Sequence, residues 1–324
     1  MPEPLPIARA VFSTQQLIAD FPPKLRDRNK KVVHRRACPP IGLHHGNLEV
    51  TRWAAMPLPE IYAGTGTMIE SREDVFSYEP PAAGSVEWHL NFAHADLFCA
   101  YGGPAFAQDE IQVAEHPALA SLREALLASD GLAPVTVENG RPTPVLIRGV
   151  ERRCVVATDS NDFEGRPFGL YGGQFTRAQA DVVERAVRLL EPPTVTNLIA
   201  MEAPSYGSGA YQLDEIAFIV QSAYTGFLAA QIESANQEVV IHTGFWGCGA
   251  YGGNRVLMAL LQMLAARLAA TTRLVVHTFD AAGTEAFGIA RRMLEHDLPQ
   301  EAPLAEVLAK VQAVGFRWGT SDGN

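Results

Sequence analysis

Cysteine is scarce in this 324-residue chain: Cys38, Cys99, Cys154 and Cys248 stand far apart, with no C-x-x-C pair. That spacing excludes a disulfide framework and a cysteine-built zinc site, so the four read as reduced thiols. Long apolar runs are missing as well. No stretch reaches the roughly 20 residues of a membrane-spanning helix, and the first residues lack the apolar core of a secretory signal. The expectation is a soluble, cytoplasmic protein without a membrane partner. Positive charge is in deficit: 26 Lys and Arg face 36 Asp and Glu, a formal net charge of −10. Phosphate backbones reward clustered Lys and Arg, so direct nucleic-acid binding is not expected. The one basic run, Lys24 to Arg36, reads as a solvated face. Ser205 to Ser208 lacks the G-x-S-x-G setting of a serine nucleophile. His44-His45, His242 and His277 show no metal-ligand spacing and read as core or surface residues.

What is present is a chain 47% hydrophobic and 19% charged, enough to bury a large core. Apolar spacing predicts helices over Pro117 to Ala128, Arg177 to Leu190 (stopped by Pro192-Pro193), Asp214 to Ala235 and Arg255 to Ala270. A shorter amphipathic segment lies around Leu17 to Leu25. Strands are predicted at Val86 to Phe92, Val145 to Ile147, Cys154 to Ala157, Thr196 to Ala200 and Arg273 to Thr278. Alternation of the two implies an α/β (α+β) fold with a mixed sheet. Residues 1–62, rich in proline and charge, read as an accessory segment on a domain spanning 63–324.

The densest signal is Thr243-Gly244-Phe245-Trp246-Gly247-Cys248-Gly249-Ala250-Tyr251-Gly252-Gly253, five glycines in eleven residues. A β-branched run, Glu238 to His242, precedes it and a helical run from Leu257 follows. Strand, glycine loop and helix bring backbone N–H groups and a helix N-terminus together on phosphate. A tight turn whose glycines only relieve packing is the other reading. A second signal is Leu90-Asn91-Phe92-Ala93-His94, followed by Gln108-Asp109-Glu110-Ile111. One of two adjacent carboxyls in a desolvated pocket can keep a proton for a leaving oxygen. Equally, acids in a first helical turn suit its dipole.

The wording of the glycine loop resembles the second phosphate loop of the poly(ADP-ribose) glycohydrolases, whose catalytic domain is an elaborated macrodomain. Phe92-Ala93-His94 and Gln108-Asp109-Glu110 keep that family's spacing between its Asp-Phe-Ala-Asn and Gln-Glu-Glu pieces. The resemblance runs over roughly residues 60 to 285. It implies Glu110 as general acid and base for hydrolysis of the ribose O-glycosidic bond, with Asp109 beside it and Gln108 in support. Gly247, Gly249, Ala250, Gly252 and Gly253 would hold the diphosphate, and Tyr251 would pack on the distal ribose. Ile69 and Glu70 would meet the adenine edge, Phe279 its face, and Tyr171 would cover the nucleotide. Ile199 to Ala203 and Ala223 to Phe227 resemble scaffold segments. No cofactor or metal is implied; the partner is ADP-ribose or an ADP-ribosylated substrate.

Two positions depart from the family. His94 stands in place of its sugar-contacting asparagine, and Phe98-Cys99-Ala100 in place of its three glycines. Phe98 and Tyr101 are therefore expected to crowd the diphosphate and distal ribose. Two alternative functions follow: an ADP-ribose-binding module without hydrolysis, or a hydrolase of a small ADP-ribosylated metabolite.

Overall fold

The computed structural model describes residues 4–39, 42–64, 66–235 and 237–321. Its centre is an eight-stranded sheet: β1 (Ala8–Ser13), β2 (Asn47–Arg52), β3 (Met68–Arg72), β4 (Ser85–Phe92), β5 (Val145–Val156), β6 (Val187–Met201), β7 (Glu238–Thr243) and β8 (Arg273–His277). The spatial order is β1-β2-β5-β6-β4-β7-β8-β3. The pairings from β1 to β6 are antiparallel. From β6 to β3 every pair is parallel. This is the expected mixed sheet.

Side chains alternate across a strand, and β4 makes the division plain. Trp88 and Leu90 join Ile199, Ile241, Leu274 and Val276 in a core covered by the helices Leu213–Glu233 and Arg255–Leu268. Glu87, His89 and Asn91 face the other way. On that side Val145, Ile147, Leu198 and Ala200 pack against Leu119, Leu122 and Leu126 of the helix Ala118–Leu127.

Three predicted elements need correction. The strands expected at 145–147 and 154–157 are one strand, β5. The helix expected over 177–190 is shorter, Ala180–Ala186, and the chain then enters β6 at Val187 and passes through Pro192-Pro193. Leu189 pairs with Cys154 and Thr194 with Arg152, so the prolines fall where the β5–β6 register breaks. A proline is tolerated there because no ladder N–H is required. The amphipathic segment around Leu17 forms the helix Thr14–Asp20 and ends ahead of Pro22-Pro23.

The described part of residues 1–62 supplies β1 and β2, and its Leu17, Leu48 and Val50 lie in the second core. The basic run is not a solvated face throughout. It forms the helix Arg28–Ala37, capped by the Asp27 carboxylate, which accepts the N–H groups of Asn29 and Lys30. Lys30 is only 3% exposed. No helix among the described residues is long and apolar enough to cross a membrane.

Candidate active site

The parallel strands β6, β4, β7 and β8 end along one edge of the sheet, where ligands of open α/β sheets gather. The acid segment follows β4, the glycine loop follows β7, and Phe279 follows β8.

The acids open the helix Gln108–Glu115. Gln108 fastens this helix to β4: its Oε1 accepts the Phe92 N–H at 2.8 Å and its Nε2 donates to the Leu90 carbonyl at 2.9 Å. Asp109 and Glu110 are each 7% exposed. Asn91 Nδ2 donates to Asp109 Oδ1 at 3.0 Å and to Gln112 Oε1 at 2.8 Å. Burial, then the charge of Glu110, pushes the Asp109 carboxyl far above the usual carboxylate range. Glu110 Oε2 accepts the Ala107 N–H at 2.9 Å. Capping and chemistry therefore coexist at Glu110, because its Oε1 takes no hydrogen bond among the described residues.

The segment that departs from the family does not crowd this site. Phe98 is fully buried and Tyr101 nearly so, both in the core beneath the helix Ala118–Leu127. Tyr101 Oη donates to Glu124 at 2.7 Å and accepts the Lys24 N–H at 2.7 Å. Phe98 has φ of 58°, the left-handed region that glycine favours. Cys99 instead lies in the field of the acids, its thiol pushed up by burial, then by Asp96 and Asp109. His94 is exposed, with Nδ1 accepting the Asp96 N–H at 3.0 Å.

Within the glycine loop, Gly252 donates its N–H to Gly249 O at 3.0 Å and Gly253 to Gly247 O at 2.9 Å. These two glycines, expected to hold diphosphate, close the loop instead. The N–H groups of Gly247, Gly249, Ala250 and Tyr251 have no acceptor among the described residues. Gly247 is at φ 76°, and a Cβ there would lie 2.5 Å from that of Ala203. A Cβ on Gly253 would come within 2.7 Å of the Gly247 carbonyl. Residues 316–321 brace the loop from behind. Gly319 N–H bonds Gly252 O at 2.8 Å, and Trp318 stacks on Tyr211 at 4.4 Å. The Tyr211 hydroxyl in turn accepts the Asn254 N–H at 3.1 Å.

Tyr251 joins loop to acids. Burial, then the Glu202 carboxylate, raises its phenol, and Asp109 and Cys99 act on it as well. Its hydroxyl donates to Glu202 Oε1 at 3.4 Å, and Tyr206, 70% exposed, leans on its ring. Glu202 reads as scaffold in the sequence, yet it belongs to this edge. It accepts the Ala95 N–H, and burial raises its carboxyl. The signal for it was its place directly after β6.

On the β8 side, Phe279 is 67% exposed at φ 67°. Ile69 packs into the first core, while Glu70 pairs with Arg72 at 3.2 Å on the adjacent β3. Tyr171 is half-exposed beside the start of the acid helix, since Gly172 donates its N–H to Phe106 O.

The scattered histidines also come together. Asp74, His277, His242 and Glu87 form a chain of contacts at 2.6, 3.0 and 3.0 Å. His89 lies stacked between Tyr78 and His242, and burial holds it well below its usual pKa. Glu87, His89 and His242 could offer three ligand atoms. However, the His89 and His242 rings are within 8° of parallel at 4.4 Å. Imidazole lone pairs lie in the ring plane, so parallel stacked rings point side by side and do not converge on one ion.

Residues 144–286 match the model of the family described as poly(ADP-ribose) glycohydrolase (PARG), macro domain fold. Over that span the chain is similar to that family. The span contains β5 to β8, Glu202 and the glycine loop; Asp109 and Glu110 lie upstream of it. Solved structures similar to this chain include a poly(ADP-ribose) glycohydrolase from Thermomonospora curvata, at 16% identity and TM-score 0.45, covering 87% of this chain and 85% of that one. The same protein bound to the inhibitor ADP-HPD matches at 16% and 0.45, covering 88% and 84%. A poly(ADP-ribose) glycohydrolase from Deinococcus radiodurans in complex with ADP-ribose matches at 16% and 0.42, covering 89% and 94%.

Proposed function

We propose that this chain binds ADP-ribose and hydrolyses the O-glycosidic bond at C1″ of its distal ribose, in a polymer or on an ADP-ribosylated substrate. The observation that carries the reading is one edge of the sheet holding both a buried vicinal acid pair and a loop with unspent N–H groups. The family match over the loop supports the same ligand, and the neighbours that bind ADP-HPD and ADP-ribose are consistent with it. Gly247, Gly249, Ala250 and Tyr251 would cradle the diphosphate.

Glu110 Oε1 would protonate the departing oxygen as the C1″–O bond breaks. The sugar cation then takes water at C1″, and Glu110 receives the proton that water gives up. Asp109 keeps a proton in the pair near neutrality, next to the group that must deliver one. With Phe98 and Tyr101 turned into the core, the departure from the family's glycines puts neither ring over the acids.

Glu110→Gln tests the reading. ADP-ribose release from an ADP-ribosylated protein should fall by about 10²–10⁴-fold, while calorimetric affinity for ADP-ribose stays within about threefold. Wild-type rates in that variant would remove Glu110 from the mechanism. A wild-type protein that binds ADP-ribose and releases none would be a reader. Turnover confined to small ADP-ribosylated metabolites would narrow the substrate.

A further inference from the structure

Lys30 comes from the segment that reads as accessory, yet it is buried against the acid site. Its helix, Arg28–Ala37, packs on the helix Gln108–Glu115. The ammonium donates to the Ala100 carbonyl at 3.1 Å and lies 5.9 Å from the centre of the Phe106 ring. Ala100 ends the segment that replaces the family's glycines, and Phe106 precedes Gln108 by two residues. Among the described residues Lys30 makes no ion pair, so most of its donor capacity is unused. An unpaired ammonium this deeply buried is costly, and burial lowers its pKa to about 8. The charge that most opposes this lowering is Glu110, followed by Asp109 and Asp27, with Arg26 acting the other way.

We propose that Lys30 is a positioning residue for hydrolysis: its buried charge, anchored by Ala100 and Phe106, sets how tightly the Asp109–Glu110 pair holds its proton. The role rests on the hydrolase reading, but the coupling itself is a property of the resting protein. Other groups acting on the pair are Asn91, which bonds Asp109, and Arg123, whose charge acts on it from the helix Ala118–Leu127 while its guanidinium pairs with Asp96 at 2.7 Å. Cys99 and Tyr251 lie in the same field. Arg123 is buried too, but its charge is spent on Asp96, and of the two cations Lys30 acts more strongly on Asp109. A nearby cation favours the ionised carboxyl, so its loss must raise the pair's titration.

Carbon-13 carboxyl NMR, with signals assigned by their disappearance in Asp109→Asn and Glu110→Gln, reads this directly. In Lys30→Met, which keeps the stem and removes the charge, the midpoint of the pair should rise by about 1 pH unit or more. A midpoint unchanged in the folded variant overturns the proposal. If Lys30→Met does not fold, the coupling is read in reverse: in Glu110→Gln the Lys30 Cε signal should titrate at lower pH than in wild type. No movement there overturns it equally. With turnover in hand, the alkaline limb of kcat should shift upward in Lys30→Met while KM holds. A merely structural lysine would lower kcat without moving the limb. If wild type releases no ADP-ribose, the hydrolase reading falls while both NMR results still decide the coupling.

Discussion

A carboxyl taken out of water prefers its proton, and Asp109 is such a group. Its pKa is raised from 3.8 to about 8, by burial first and then by Glu110. Between those values the folded chain binds a proton that the unfolded chain releases. Stability from this group is therefore complete below about pH 3.8 and is lost as pH rises through about 8. Thermal unfolding should show Tm falling between pH 5 and 9 in the wild type and a flatter profile in Asp109→Asn. Equal slopes in the two would contradict a buried Asp109. The pair could be read in the sequence only through its resemblance to the family's spacing from Phe92-Ala93-His94, since acids in a first helical turn are otherwise ordinary caps. Lys30 could not. Nothing in the wording of a basic run separates its one inward-facing lysine from its solvated neighbours, since only the packing of two distant helices decides that. Glu202 was hidden for a similar reason: its role depends on which strand end it occupies.

Strands and helices with strong periodicity were legible, as Ser85–Phe92 and Leu213–Glu233 illustrate. The segment after Ala186 was not. Its apolar residues suit either period, and Pro192-Pro193 looks like a helix stop until a broken register beside Arg152 accommodates it inside a strand. The glycine loop was readable as a loop, but its division of labour was not. Which N–H groups face outward depends on internal bonds such as Gly253 to Gly247. Gly247→Ala places a side chain at positive φ and against Ala203. It should cost about 1–3 kcal/mol in urea unfolding and weaken ADP-ribose binding at least tenfold. Ala250→Gly, which keeps every N–H, should bind nearly as wild type; strong loss in that variant would mean that side chains hold the ligand and main-chain N–H groups do not.

The sheet extends through both parts of the chain that the sequence reading divides at residue 62. Its antiparallel edge, β1 and β2, comes from the first 62 residues, and Leu48 and Val50 are fully buried beneath it. A chain starting at residue 63 would uncover that core and the backbone edge of β5, and would lose Lys30. The expected outcome is an aggregation-prone product without a cooperative thermal transition, checked by circular dichroism and light scattering. A monomeric truncation melting near the wild-type temperature would make the segment dispensable. On the proposed function, a protein with a net charge of −10 would hold an anionic ligand locally, through main-chain N–H groups and not through a positive surface.

The brace formed by residues 316–321 has a practical side. Trp318 lies flat on Tyr211, whose hydroxyl takes the N–H that leads into the helix after the glycine loop. An indole ring thus stands one stacked partner and one hydrogen bond from the proposed diphosphate cradle. Ligand arrival at that cradle should therefore alter the indole emission, read as the difference between wild type and Trp318→Phe because the chain holds four tryptophans.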